Sequence, residues 1–248
     1  MNTSPFSPSF YFDDETAALP IEQILAVVGP FDPANVKLGN VKDSAKIAEK
    51  IEEARVAYEP DLIANAAKYP TLCRLSAVGI IDPMGEFLLL DGFADERKAL
   101  TDFWSLYEKN PNARFEGWNI FSFDFQVHFI RSLILGVKVP RSLRKISPTG
   151  WVSWNRGRDL MVEITGSPSK YLKLDKAARM LGVGAKNGHG EDFAAEFESG
   201  DLERRSKAVG YLYNDVFLTK GVGERVDGAS PLTETEDVPY ETVAMVQV

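Results

Sequence analysis

Three acids stand in a row where a short apolar run ends, in Phe10-Tyr11-Phe12-Asp13-Asp14-Glu15-Thr16. Aromatic and β-branched residues suit a half-buried strand, from whose end the acids project. Asp13 and Glu15 are two apart, so on a strand they leave from one face. Two carboxylates on one face repel unless a positive charge sits between them, and hard divalent cations take oxygen ligands. Taken alone, the pair reads as a solvated strand end. Two further acids stand in distinctive surroundings. Asp124 closes Asn119-Ile120-Phe121-Ser122-Phe123-Asp124, and Asp215 closes Tyr211-Leu212-Tyr213-Asn214-Asp215. Tyr211 and Asp215 are four apart, which on a helix places them on one face, one turn apart. Asp14 is the intervening residue of the first pair, although three consecutive acids leave its register open.

The elements that must position these residues follow from pattern. Residues 1–8 form a loose tail and 9–14 the first strand; breakers at Leu19-Pro20, Gly29-Pro30 and Asp32-Pro33 make the next stretch loop-rich, with a short buried segment at 21–28. Residues 42–68 are helical in character, started by Asp43-Ser44 and broken in two at Glu59-Pro60. Residues 71–82 and 86–92 read as strands joined by the turn Asp82-Pro83-Met84-Gly85. A helix over 95–109 and a fourth strand over 114–120 follow. Ser122 is then the N-cap of a helix over 123–135. The stretch 136–150 is basic and loop-like. Residues 159–165 form a fifth strand or a short helix. Helices over 172–181, 192–198 and 201–221 come next, with a Gly-rich loop at 184–190 and a tail over 226–248. Strands in succession followed by strand–helix alternation predict an α/β mixed sheet with helices on its faces. The expected organisation is one domain over 9–225, with a helical insertion at about 35–69.

Composition narrows the chemistry. The chain has 248 residues and a formal net charge of −8, which argues against a generally basic nucleic-acid-binding surface. One cysteine, Cys73, excludes an internal disulfide and a zinc–cysteine cluster, and two histidines, His128 and His189, argue against a His-rich metal site or a Ser-His-Asp triad. No secretory leader and no run of about 18 apolar residues is present, so the chain reads as cytoplasmic, with no membrane partner.

Taken jointly and in order, the three motifs resemble those of the DEDD superfamily of 3′–5′ exonucleases: Asp-x-Glu, then Asn-x(2–3)-Phe/Tyr-Asp, then Tyr-x-x-x-Asp. The tyrosine form places the resemblance in the DEDDy subclass, which includes polymerase proofreading domains. It covers roughly residues 8–222. The resemblance implies a ribonuclease H-like mixed five-stranded sheet flanked by helices. It also implies hydrolysis of terminal phosphodiester bonds by two divalent ions, Mg²⁺ or Mn²⁺. Asp13, Glu15, Asp124 and Asp215 are then the expected metal ligands, and Tyr211 orients the attacking water. By the same likeness Thr16 approaches the terminal 3′-hydroxyl, Leu19 wedges against the last base, and Asn119 touches the terminal sugar or phosphate. Lys186, in a Leu-Gly-x-x-x-Lys loop, is a candidate phosphate contact.

Other residues have plainer readings. Asp159 is held in reserve as a ligand; Asp175 reads as helix surface, His128 as a core histidine, His189 as exposed and Tyr213 as packing. The basic stretch 138–145 with Trp151 and Trp154 is either a single-strand-binding surface or a solvated loop with packing tryptophans. The expected function is exonucleolytic removal of nucleotides from single-stranded or frayed DNA 3′ ends, supporting replication or proofreading for a separate DNA polymerase. The length is too short for a polymerase domain, and the insertion after the first motif resembles that of phage replication exonucleases, which would act in the host cytoplasm. The alternatives are a 3′–5′ exoribonuclease and a non-catalytic module that binds nucleic acid or a polymerase.

Overall fold

The structure is a computed structural model, and it describes residues 7–146 and 152–228. Its strands are Ser9–Ala18 (β1), Cys73–Ile81 (β2), Phe87–Asp91 (β3), Arg114–Gly117 (β4), Arg144–Ile146 (β5), Val152–Trp154 (β6) and Gly157–Asp159 (β7). Its α-helices are Ile21–Val28 (α1), Ser44–Ala66 (α2), Gly92–Lys109 (α3), Asp124–Leu135 (α4), Leu160–Thr165 (α5), Leu174–Met180 (α6), Phe193–Phe197 (α7) and Leu202–Val226 (α8). The chain divides into two compact units, one of residues 16–74 and one of the residues on either side.

The larger unit holds a five-stranded sheet in the order β3-β2-β1-β4-β7. The β2–β3 hairpin is antiparallel, with Asp82 Oδ1 accepting the amides of Met84 and Glu86 at its turn. The β1–β4 and β4–β7 pairs are parallel, so the sheet is mixed. Tyr11 of β1 pairs with Glu116 of β4. Alternation along β1 gives its two faces different neighbours. Phe12 meets the rings of Phe103 on α3 and Phe125 on α4, at centroid distances of 5.2 and 5.4 Å. Tyr11 lies in a second cluster with Phe193 and Phe197 of α7 and Leu212 and Val216 of α8. The long helix α8 lies close against the sheet because two positions lack side chains. A Cβ on Gly223 would stand 2.7 Å from the Tyr11 ring, and one on Gly79 would stand 2.7 Å from Cγ of Leu212.

The smaller unit is built on α1 and α2. Leu19, Ile24, Ala66 and Leu72 form its core. Residues 44–66 are one continuous helix across Pro60, where two helices were expected. Residues on both sides of the proline hold the helix to the same neighbouring segment. Tyr58 donates its hydroxyl to the Gly29 carbonyl at 2.9 Å and packs on Phe31, while Leu62 and Ala66 reach the core. Pro60 has no amide to give the Val56 carbonyl, and Val56 lies exposed, so the freed carbonyl is not buried unpaired.

Other boundaries also differ from expectation. Strand β4 ends at Gly117 because Asn119 adopts φ 63, which no strand accommodates. Ser122 does not cap α4. The carbonyls of Asn119 and Ile120 take the amides of Ser122, Phe123 and Phe125, and Asp124 opens the helix, where a negative charge suits the dipole. The 159–165 segment is both options in turn, since β7 ends at Asp159 and α5 begins at Leu160. The basic stretch contributes β5, which pairs with β6, and is therefore not all loop. The expected tails and Trp151 lie largely outside the described residues.

Candidate active site

The period of β1 sends Asp13 and Glu15 toward α8, and the helical period of α8 sends Tyr211 and Asp215 toward β1. Ligand oxygens of Asp13, Glu15 and Asp215 lie within 4.8 Å of one another. A third element reaches the same place, the Gly-rich loop between α6 and α7. Lys186 donates from Nζ to the Tyr211 hydroxyl at 3.1 Å and forms a very short ion pair with Asp215. The loop can lie against Tyr211 because position 188 is glycine, where a Cβ would stand 2.8 Å from the Tyr211 ring. Asp175 on α6 holds the loop from behind, with Oδ1 accepting the Lys186 amide at 2.8 Å.

The electrostatics follow from crowding these acids in a buried place. Burial first, and then the charge of Asp215, push the Asp13 carboxyl up to about 8. Burial and the charges of Asp13 and Asp215 raise Glu15 well above the carboxylate range. Asp215 is raised by burial against the opposing pull of Lys186. Burial lowers the Lys186 ammonium, but Asp215, Asp13 and Glu15 outweigh it and hold the group above its ordinary value. Tyr211 is raised by burial and by Asp215 and Glu15, so its phenol stays protonated. Oδ1 of Asp215 is buried without a hydrogen-bond partner among the described residues. A cluster of hard oxygens with an unpartnered lone pair, sharing one lysine as counter-charge, is a donor set that suits a divalent cation.

Asp124 enters from α4. Its Oδ1 accepts the backbone amide of Asp14 at 3.0 Å, and its carboxyl is raised by burial and by the nearby charges of Asp14 and Asp13. Asp124 is not one of the three acids drawn to a common point. Asn119 sits in the left-handed turn after β4, with its amide on Asp159 Oδ1 at 3.1 Å. Thr16 and Leu19 belong to the smaller unit. The Thr16 hydroxyl donates to the Ala67 carbonyl at 2.7 Å, and Leu19 is buried in that unit's core.

Three acids take places other than those expected. Asp159 is not a ligand. Its two oxygens accept the amides of Asn119, Phe121, Met161 and Val162, which caps α5 and fixes the turn after β4. Its place one residue before an apolar run was an N-cap signal. Asp175 is more than helix surface, since it carries the Lys186 loop. Asp14 points to the opposite face of β1 from its neighbours, and there His128 Nε2 lies 2.9 Å from Asp14 Oδ2. His128 also stands 4.0 Å from the Phe103 ring centroid. Burial pushes His128 down to about 3 and raises Asp14, so burial disfavours a charge on either side chain. Trp154 is a packing residue, stacked on Phe125 at 5.3 Å with its Nε1 donating to the Phe121 carbonyl.

The family described as predicted 3′–5′ exonuclease related to the exonuclease domain of PolB matches residues 73–220. A solved structure of the family B DNA polymerase from the hyperthermophilic archaeon Pyrobaculum calidifontis superposes with a TM-score of 0.58 at 17% identity. The match covers 91% of the chain and 25% of the polymerase, so the chain spans about a quarter of that protein. No curated protein sequence matches. The five-stranded mixed sheet with its flanking helices is the ribonuclease H-like fold. No helix among the described residues is long and apolar enough to cross a membrane.

Proposed function

Because this chain belongs to the predicted 3′–5′ exonucleases related to the exonuclease domain of PolB, we propose that it removes nucleotides from the 3′ ends of single-stranded or frayed DNA. The observation that carries the reading is the convergence of Asp13, Glu15 and Asp215 within 4.8 Å, beside the Tyr211 hydroxyl and the Lys186 ammonium. In this reading Asp13, Glu15 and Asp215, with Asp124, hold two divalent ions, Mg²⁺ or Mn²⁺. Such ions, when bound, lower the pKa of an attacking water and stabilise the leaving 3′-oxygen.

The chain's own residues do the positioning. Tyr211 keeps its proton, so it orients a water by hydrogen bond and does not serve as the base. Lys186 neutralises Asp215 and offers its ammonium to a phosphate oxygen once that carboxylate is otherwise engaged. Asn119, fixed by Asp159, faces the terminal nucleotide. Thr16 and Leu19 remain proposed substrate contacts by the resemblance alone, and DNA replication or proofreading for a separate polymerase is the proposed setting.

The test is digestion of a 5′-labelled single-stranded DNA oligomer with Mg²⁺ or Mn²⁺, beside EDTA, an Asp13→Ala protein and a matched RNA. A ladder shortening from the 3′ end and lost with both controls supports the reading. Faster digestion of RNA would make the chain an exoribonuclease. Intact DNA and RNA with folded protein would leave a binding module.

A further inference from the structure

The second cationic surface of this acidic chain runs along the segment before α6 and onto α6, beside the proposed site. Residues 166–189 carry Lys170, Lys173, Lys176, Arg179 and Lys186 against a single acid, Asp175, in a chain whose net charge is −8. Leu174, Ala177 and Ala178 turn inward to the core, which leaves Lys176 and Arg179 on the outer face of α6, with Lys173 exposed at its N-cap. Arg179 is paired with Asp175 at 2.9 Å. No carboxylate among the described residues pairs with Lys170, Lys173 or Lys176, and all three are exposed. Tyr171, in their midst, is 69% exposed, unlike Trp154, which is packed away.

This surface is tied to the site at two points. The Leu172 carbonyl accepts Nε1 of Trp118 at 2.8 Å, one residue before Asn119. Asp175 holds the amide of Lys186. A cationic surface with an exposed ring therefore abuts both the turn after β4 and the lysine of the carboxylate cluster.

We propose that Lys170, Tyr171, Lys173 and Lys176 form a binding track for the single strand of DNA on the 5′ side of the nucleotide being removed. Lysines attract the phosphates without regard to sequence, and an exposed ring stacks on an unpaired base. A duplex hides its base faces, and an anionic membrane or an acidic protein has none to stack. The inference rests on the exonuclease reading for the identity of the strand.

The test measures binding of a fluorescein-labelled 20-nucleotide DNA by anisotropy in EDTA, across salt concentrations, for the parent and for Lys170→Glu/Lys173→Glu/Lys176→Glu. The variant should bind about tenfold more weakly, and its salt slope should fall by about 2, from roughly 0.7 per phosphate contact. Tyr171→Ala should weaken binding by about tenfold with the parent's salt slope, because stacking releases no counterions. In Mn²⁺ the triple variant's loss of kcat/KM should be about tenfold larger for the 20-mer than for a dinucleotide, which is too short to reach the track. Lys138→Glu/Arg141→Glu, on the other basic stretch, tests the rival location. Parent-like binding and salt slope in the triple variant, equal losses on both substrates, or loss confined to the 138/141 variant would each overturn the proposal. So would a parent that binds no single strand. A parent that cuts no strand but shows the track-dependent binding would instead refute the exonuclease reading alone.

Discussion

At the scale of single residues, the site is a set of carboxyls that cannot all be charged without help. Removing Asp124 should therefore strip transition-state stabilisation and leave the substrate surface intact. Asp124→Ala is expected to lower kcat by roughly 10²–10³ with single-strand binding retained. Equal turnover in single-turnover assays would take Asp124 out of the site. Tyr211→Phe should cost less, about tenfold, since the acids remain and only the water's orientation is lost. Asp14 and His128 form a different kind of pair, buried against Phe103 and lacking well-aligned partners. Asp14→Val and His128→Leu should each destabilise by about 3 kcal/mol, while the double variant recovers most of the loss. Additive losses in urea unfolding would mean that the two side chains act independently.

At the scale of elements, α8 carries half the site and is set by its distance from β1. Gly223→Ala drives a methyl group toward the Tyr11 ring, 2.7 Å away. It should cost about 1–3 kcal/mol in urea unfolding, and an unchanged midpoint would show that α8 can yield there. The elements also show what the sequence could disclose. The alternation of Asp13 and Glu15 and the four-residue step from Tyr211 to Asp215 are local periodicities, so their shared faces could be read without a structure. The mixed sheet was legible from strand order and the hairpin turn. The place of Lys186 was not, because it depends on Asp175 eleven residues away and on Gly188 admitting the Tyr211 ring. Nor was the continuity of α2 across Pro60, where tertiary contacts on both sides outweigh a local breaker. Asp159 was misread as a possible ligand because its four amide donors come from two separate segments.

At the scale of the whole molecule, the buried acids couple stability to pH. Asp13 has a folded value of about 8 against an ordinary value near 4, and Glu15, Asp124 and Asp215 are also raised. Asp13 holds a proton in the folded chain that it has lost in the unfolded chain, so stability falls as pH rises toward about 8, and the other raised acids act in the same direction. His128 works oppositely, being neutral when folded and protonated when unfolded, but only between about 3 and 6.5. Between pH 6.5 and 8 the acids act alone. The melting temperature without divalent metal should fall over that interval. Mn²⁺ should raise it more at pH 8 than at pH 6.5, because deprotonated ligands bind more tightly. A flat melting profile without metal would mean that Lys186 already satisfies the cluster.

Three consecutive acids on β1 also guard the pairing of the sheet. A slip of one residue against β4 would turn Asp13 and Glu15 into the aromatic face beside Phe103 and Phe125, and would send Asp14 alone toward α8. That mispaired chain would put two acids on the aromatic face, where His128 now meets one. The acids that would do the chemistry thus also make the wrong fold expensive. Variants that replace Asp13 and Glu15 with apolar residues lose a barrier to strand misalignment along with the site.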